Sequence, residues 1–104
     1  MSNNWIKIAQ VDDIPDDDVI GVNLNEMNIA LYKYEGQVFA TDNVCTHGQA
    51  YLSDGFLEDG EIECPLHQGK FCIKTGKTLC EPLTEDLKTY TARVEGNDVL
   101  LLIE

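Results

Sequence analysis

The apolar residues of this chain fall in short segments separated by turn residues, which is a pattern typical of β-strands. The first segment, Trp5–Ala9, alternates apolar and polar residues with the two-residue period of a strand. Further strands are predicted over Val19–Leu24, Ile29–Tyr34, Gln37–Thr41, Phe56–Glu58, Glu61–Glu63, Phe71–Lys74, Lys77–Leu79, Lys88–Glu95 and Val99–Ile103. The sequence contains no strong amphipathic helix, and Thr84–Leu87 is expected to form a helical turn at most. The predicted fold class is therefore all-β.

Short turns join these predicted strands into hairpins. Glu35–Gly36, Asp59–Gly60 and Thr75–Gly76 each lie between two strand segments and contain the glycine that tight hairpin turns favour. A cluster of one proline and several aspartates over residues 11–18 predicts a longer turn after the first strand. The last two strands are expected to return to the early hairpins and to close one core.

Length and charge limit the kind of protein this can be. The chain has 104 residues, of which 43% are hydrophobic, so a single domain over residues 1–104 is expected. The formal net charge is −12, from 19 acidic and 7 basic residues. Nucleic acid and anionic membrane surfaces would repel such a protein, whereas a basic protein partner would complement it. The alternative is an acidic surface that serves only solubility.

No segment of the sequence resembles a signal peptide or a membrane-spanning helix. The first twenty residues contain one basic residue and no apolar run, and the longest apolar stretch is Val99–Ile103. We therefore expect no export signal, no membrane span and a cytoplasmic location. Disulfide bonds are not expected among the four cysteines, because disulfides persist mainly in oxidising compartments.

Two short segments combine a cysteine with a histidine: Cys45-Thr46-His47-Gly48 and Cys64-Pro65-Leu66-His67. In each, a thiolate and an imidazole lie within three positions, so two tight loops can direct all four side chains to one metal site. Structural zinc accepts two cysteines and two histidines, but its usual pattern pairs cysteine with cysteine and histidine with histidine. Mixed pairs instead suit a two-iron cluster in which one iron takes both thiolates and the other takes both imidazoles, as in a Rieske centre.

The complete pattern, Cys45-x-His47, a gap of sixteen residues and then Cys64-x-x-His67, resembles the Rieske motif. Trp5 near the start, Ala40-Thr41-Asp42-Asn43 before the first pair and Gly69-Lys70-Phe71 after the second extend this resemblance to the whole chain. With its acidic composition, the chain resembles the small Rieske ferredoxins of bacterial aromatic-ring-hydroxylating dioxygenase systems, and most closely those of naphthalene dioxygenase systems.

The resemblance implies a Rieske fold, which is an antiparallel β-sandwich base with a small cluster-binding subdomain over about residues 42–82. The residues that would bind one [2Fe-2S] cluster are Cys45, His47, Cys64 and His67. The protein would be a monomeric one-electron carrier and not an enzyme. It would accept electrons from an NAD(P)H-dependent flavoprotein ferredoxin reductase. It would deliver them to a terminal Rieske oxygenase that dihydroxylates aromatic hydrocarbons. Leu79–Pro82 resembles the third loop, which caps the cluster in this family.

Two other functions remain open at the level of the sequence. A zinc-binding interaction module could use the same four ligands, and a Rieske small subunit of another redox enzyme, such as a nitrite-reductase-like subunit, would carry the same motif. No catalytic residue is predicted, because both histidines are assigned to the metal and none is left to act as a base. Cys72 and Cys80 are expected to be reduced cysteines outside the metal site.

The sequence departs from the high-potential Rieske proteins of respiratory complexes at four positions. Those proteins carry a further cysteine in each ligand loop, joined as a disulfide, where this chain has Ala50 and Leu66. They also carry a serine and a tyrosine whose hydroxyls donate hydrogen bonds to the cluster sulfurs, where this chain has Gly69 and Phe71. Because such donors stabilise the more negative reduced cluster, their loss predicts a low reduction potential.

Overall fold

The computed structural model of the protein describes residues 4–46, 50–65, 69–79 and 85–103. Within these ranges the regular structure consists of ten β-strands and two 3₁₀ turns. The strands are β1 (Asn4–Gln10), β2 (Asp18–Leu24), β3 (Met27–Tyr34), β4 (Gln37–Asp42), β5 (Phe56–Glu58), β6 (Glu61–Glu63), β7 (Lys70–Cys72), β8 (Thr89–Tyr90), β9 (Ala92–Glu95) and β10 (Asp98–Ile103). The 3₁₀ turns cover Val11–Asp13 and Leu52–Asp54. Over the same ranges, no helix has the length and apolar character needed to cross a membrane.

The strands form three antiparallel sheets. The strand order is β1-β10-β9 in the first sheet, β2-β3-β4-β8 in the second and β5-β6-β7 in the third. The predicted all-β, antiparallel fold is confirmed. The two early hairpins, β2-β3 and β3-β4, make the longest paired segments of the central sheet, so this sheet forms the framework on which the rest of the chain is arranged.

Two hydrophobic cores lie on opposite faces of the central sheet. The base core consists of Ile14, Ile29, Leu31, Ala40, Val99 and Leu101. The loop core consists of Val19, Ala30, Tyr32, Cys45, Ala50, Leu52, Ile62, Cys64, Phe71, Ile73 and Leu87. The expectation of one core was wrong, because strand β3 is buried on both faces: successive side chains of a strand point to opposite sides, so Ile29 and Leu31 enter one core and Ala30 and Tyr32 enter the other.

The predicted turns at Glu35–Gly36 and Asp59–Gly60 are present, and both have the left-handed backbone that tight hairpins need. The φ angles are +52° and +76° at Glu35 and Gly36, and +54° and +77° at Asp59 and Gly60. A positive φ at both central residues matches the type I′ turn, whose twist suits the flanking strands. The turn chemistry therefore sets the register of β3-β4 and β5-β6.

Two segments that were predicted to be single strands have a different form in the structure. Lys88–Glu95 is not one strand but two, because β8 pairs with β4 in the central sheet and β9 pairs with β10 in the first sheet. The chain changes sheets at Thr91, whose carbonyl accepts a hydrogen bond from the Leu102 amide at 3.0 Å. Lys77–Leu79 does not form a regular strand and contacts β7 through a single bridge between Phe71 and Thr78.

Candidate metal centre

The structure brings the two predicted cysteine ligands into the same hydrophobic environment. Cys45 is 3% exposed and Cys64 is 1% exposed, and both belong to the loop core. Cys45 follows the end of β4, whereas Cys64 directly follows β6. The other two predicted ligands, His47 and His67, lie outside the described residues.

Each cysteine begins a tight loop that its own backbone closes. The Cys45 amide donates to the carbonyl of Ala50 at 2.9 Å, and the Cys64 amide donates to the carbonyl of Gly69 at 2.7 Å. In both loops the acceptor lies five positions after the cysteine, and the predicted histidine falls between the two. The structure thus contains two loops of the same length, residues 45–50 and 64–69, which we call ligand loop 1 and ligand loop 2.

Both ligand loops are the tips of short antiparallel ladders. Val44 pairs with Tyr51 immediately outside ligand loop 1, and Glu63 pairs with Lys70 immediately outside ligand loop 2. The equal spacing between each cysteine and its acceptor was present in the sequence, but nothing there identified Ala50 and Gly69 as acceptors. The paired backbone fixes the main chain at each cysteine, and so limits where its side chain can lie.

A third segment connects ligand loop 1 to the turn that follows β7. The Thr46 hydroxyl, in ligand loop 1, donates to the carbonyl of Glu85 at 2.9 Å. Two positions further on, the Leu87 amide donates to the carbonyl of Gly76 at 2.7 Å, in the turn that follows β7. The segment 85–87 therefore bridges ligand loop 1 and the β7 turn. Of the predicted capping loop, Leu79 is exposed and residues 80–82 lie outside the described residues.

Two tyrosine hydroxyls bind the strand end that leads into ligand loop 1. Tyr32 is fully buried, and its hydroxyl is 2.8 Å from the hydroxyl oxygen of Thr41, which itself donates to the carbonyl of Asp42. Burial raises the pKa of Tyr32 well above its usual value, so this hydroxyl stays protonated. The Tyr90 hydroxyl donates to the Asp42 carboxylate at 2.5 Å, and burial together with this carboxylate raises the pKa of Tyr90.

The described donors fit a Rieske cluster. A cluster iron with two thiolate ligands needs two cysteines that approach from separate loops and are shielded from water, and Cys45 and Cys64 meet both conditions. Cys72 lies on β7 and is only half-buried. The residues around the two cysteines are apolar, including Leu52, Ile62 and Phe71, each of them 0% exposed.

Comparison with known proteins identifies the class to which this fold and site belong. Residues 4–91 match the family model of the Rieske [2Fe-2S] domain, and the chain belongs to this family. It is 59% identical over 104 residues to the ferredoxin component of the naphthalene 1,2-dioxygenase/salicylate 5-hydroxylase systems of Ralstonia sp, with all of both chains covered.

Solved structures agree with this assignment. The Sphingomonas yanoikuyae B1 ferredoxin superimposes with a TM-score of 0.91 at 37% identity, over 97% of this chain and 100% of that chain. The ferredoxin fold also matches a chain in the complex of reduced oxygenase and oxidized ferredoxin in carbazole 1,9a-dioxygenase. That match has a TM-score of 0.87 and 33% identity, over 94% of this chain and 92% of that chain.

The comparisons confirm the main prediction and exclude one of the two alternatives that the sequence left open. The predicted Rieske fold and the predicted [2Fe-2S] cofactor are confirmed, and a zinc-binding module is excluded by family membership. The prediction of an electron-transfer ferredoxin rather than an enzyme is confirmed by relatives that are ferredoxin components of dioxygenase systems.

Proposed function

We propose that Cys45, His47, Cys64 and His67 are the four ligands of the cluster, with both thiolates on one iron and both imidazoles on the other. The observation that carries this proposal is the pair of equal loops, each closed by the amide of a buried cysteine and each containing one histidine in its sequence. This division of ligands is the one that a Rieske centre requires.

The protein carries single electrons from an NAD(P)H-dependent flavoprotein ferredoxin reductase to a terminal Rieske oxygenase. The bound cluster supplies the one-electron redox chemistry, and the chain supplies the ligands, the apolar shield and the surface on which partners dock. The names of the relatives support this role, as does the carbazole system, in which a similar ferredoxin forms a complex with its oxygenase. The oxygenase dihydroxylates an aromatic hydrocarbon, a role supported by the similarity to ferredoxins of naphthalene dioxygenase systems.

The organisation of the chain suits a freely diffusing carrier. It is a cytoplasmic monomer with one domain over residues 1–104. The cluster-binding subdomain covers about residues 42–82, which contain both ligand loops and the β5-β6-β7 sheet. This subdomain relies on the central sheet for part of its core, because Val19, Ala30 and Tyr32 contribute to the loop core.

An exposed apolar pair lies at the base of ligand loop 1. Val44 is 46% exposed and Tyr51 is 49% exposed, and the two residues are bridge partners across the ladder. Apolar side chains in such positions are typical of protein-protein contacts. A partner that covers this pair would lie close to Cys45 and hence to the cluster, which electron transfer requires.

The ligand assignment is tested by the metal content and the EPR spectrum of purified protein. We expect a red-brown protein with two irons and two acid-labile sulfides per chain and a rhombic Rieske signal on reduction. Replacing His47 or His67 by alanine or cysteine should abolish that signal, and Cys45→Ser or Cys64→Ser should do the same. Cys72→Ser is the matched control, since this cysteine lies outside the proposed ligand set.

The ligand assignment and the carrier role are contradicted by different results. A histidine variant that retains the wild-type signal would refute the ligand assignment. The carrier role is measured separately, as reductase-dependent oxygenase turnover that rises with added ferredoxin. A large chain that co-purifies in fixed stoichiometry would instead indicate a subunit of another redox enzyme.

A further inference from the structure

We propose that Asn43 is a positioning residue for the cluster: its buried side-chain amide fixes both ends of ligand loop 1 against the central sheet and so determines where Cys45 is held. Asn43 lies between β4 and ligand loop 1 and is 3% exposed. The inference rests on the proposed role of Cys45 as a ligand.

The side chain of Asn43 links two parts of the chain that are distant in sequence. Its Nδ2 donates to the Oδ1 of Asn28 at 2.9 Å and to the hydroxyl oxygen of Ser53 at 3.1 Å. Its Oδ1 accepts a hydrogen bond from the Ser53 amide at 2.8 Å. Asn28 belongs to β3, and Ser53 belongs to the 3₁₀ turn that follows ligand loop 1. One amide thus connects the exit of the loop to the sheet.

The backbone of Asn43 repeats the same connections. Its amide donates to the carbonyl of Asn28 at 2.9 Å, and its carbonyl accepts from the Leu52 amide at 2.7 Å. Ligand loop 1 lies between residues 43 and 52, so the entry and the exit of the loop meet at this one residue. A shift of Asn43 would therefore displace both sides of the ladder that places Cys45 in the loop core.

An amide suits this position better than any other side chain of its size. The Asn43 side chain donates twice and accepts once in a buried space. A carboxylate has no donor, a protonated carboxyl has only one, and an aliphatic side chain has neither donor nor acceptor. Among the described residues, no buried side-chain nitrogen or oxygen lacks a hydrogen-bond partner. Without the side-chain amide of Asn43, the backbone N–H of Ser53 would lose its acceptor. A buried donor without an acceptor is destabilising.

Gly21 of β2 provides the space that this amide occupies. A Cβ atom at residue 21 would lie 2.9 Å from the Nδ2 of Asn43 and 3.0 Å from the hydroxyl oxygen of Ser53. Both distances are at or below the closest approach that real Cβ atoms tolerate, so an alanine would force the Asn43 side-chain amide and the Ser53 hydroxyl to move. The backbone of Gly21 does not have a positive φ, and the substitution therefore acts through this contact alone.

The test uses three variants that disturb the amide in different ways, in the cluster-containing protein. Asn43→Leu removes the three side-chain hydrogen bonds of this residue and keeps its backbone bonds. Ser53→Ala removes one hydrogen bond, and Gly21→Ala displaces the side-chain amide without removing any polar group. The control is Asn97→Ala, which changes an exposed asparagine in the turn between β9 and β10, away from Asn28 and Ser53 in the chain.

Four quantities are measured: hydrogen exchange in peptides that cover residues 43–53, the EPR line widths of the reduced cluster, the rate of cluster loss to a chelator, and the unfolding temperature. We expect faster exchange, broader lines and cluster loss accelerated several-fold in all three variants, with Ser53→Ala the mildest and the Asn97→Ala control unchanged. If Asn43→Leu does not fold, Gly21→Ala and Ser53→Ala still test whether Asn43 positions ligand loop 1.

The proposal is overturned if the variants unfold at lower temperature while exchange, line width and cluster loss match the wild type, since Asn43 would then serve stability alone. None of these measurements depends on a reductase or an oxygenase, so failure of the carrier role would leave them unaffected. A Cys45→Ser variant that keeps its Rieske signal would overturn the ligand assignment, and with it the link between Asn43 and the cluster.

Discussion

Two residues that contact the loops of the proposed ligands Cys45 and Cys64 explain why this protein should have a low reduction potential. Phe71 is fully buried in the loop core with Cys45 and Cys64. Gly69 has no side chain, and its carbonyl accepts the hydrogen bond of the Cys64 amide. Neither position can donate a hydroxyl hydrogen bond to the cluster, in contrast to the serine and tyrosine of the high-potential proteins. The reduced cluster therefore lacks two sources of stabilisation.

The double variant Gly69→Ser, Phe71→Tyr tests this explanation. The wild-type potential should lie near the lower end of the Rieske range, at about −150 mV. A hydrogen bond to a charged acceptor contributes about 1.5–3 kcal/mol, so the variant should have a potential higher by tens of millivolts or more. Protein-film voltammetry measures both values, with Phe71→Leu as a control for the change in packing. A wild-type potential well above zero, or a double variant equal to the wild type, would show that other groups set the potential.

At the scale of strands and turns, local signals in the sequence identified most elements. The hairpins at Glu35–Gly36 and Asp59–Gly60 were predicted because their turn chemistry is local. The division of Lys88–Glu95 into β8 and β9 was missed, because each half pairs with a different distant strand and no residue at the break marks the change. Tertiary pairing decides such boundaries.

At the candidate site, too, the sequence predicts local motifs but not contacts between residues that are distant in the sequence. The spacing of Cys45, Cys64 and the two histidines along the chain predicts the four proposed ligands and was sufficient to identify the type of cluster. The contacts of Asn43 with Asn28 and Ser53 were not predictable, because they join residues 15 and 10 positions apart in a pattern that no motif describes. Residues that bind a cluster have a sequence signature, whereas those that support the ligand loops are identified only in three dimensions.

The two faces of the central sheet should respond differently to loss of core volume. Leu31 belongs to the base core and Ile62 to the loop core, and both are 0% exposed. Leu31→Ala and Ile62→Ala should each lower the free energy of unfolding by about 2–5 kcal/mol. Only Ile62→Ala should also broaden the EPR signal, since it alone shares a core with Cys45 and Cys64. Denaturant unfolding and EPR spectra measure the two effects, and equal spectral changes in both variants would contradict a division between the cores.

For the whole molecule, the main physical property is its net charge of −12. The acidic residues differ in whether their side chains have contacts within the protein. Asp16 pairs with Lys33 at 3.3 Å, and the Asp18 carboxylate accepts a hydrogen bond from the Val19 amide at 2.8 Å, so two acids of the Asp16–Asp18 run have local structural contacts. By contrast, Glu58 is exposed in the small sheet that carries ligand loop 2. We expect acids of this sheet to guide a basic partner towards the cluster.

Charge reversal near the cluster should therefore slow electron transfer more than charge reversal elsewhere. Glu58→Lys and Glu63→Lys change charges in the β5-β6-β7 sheet, whereas reversal within Asp16–Asp18 changes charges in the turn before β2. Asp12→Lys is a cleaner control for that distant region, because Asp12 is exposed and its reversal alters the net charge by the same amount.

The measurement is the rate of oxygenase reduction at sub-saturating ferredoxin over a range of salt concentrations. Steering by charge weakens as the Debye length falls to about 8 Å near physiological ionic strength, so the wild-type rate should decrease as salt rises. Glu58→Lys and Glu63→Lys should be slow at low salt and should approach the wild type at high salt, because screening removes the interaction that they disturb. Asp12→Lys should follow the wild-type curve. Equal slowing in all three variants, or a wild-type rate independent of salt, would mean that the acidic surface maintains solubility and does not guide docking.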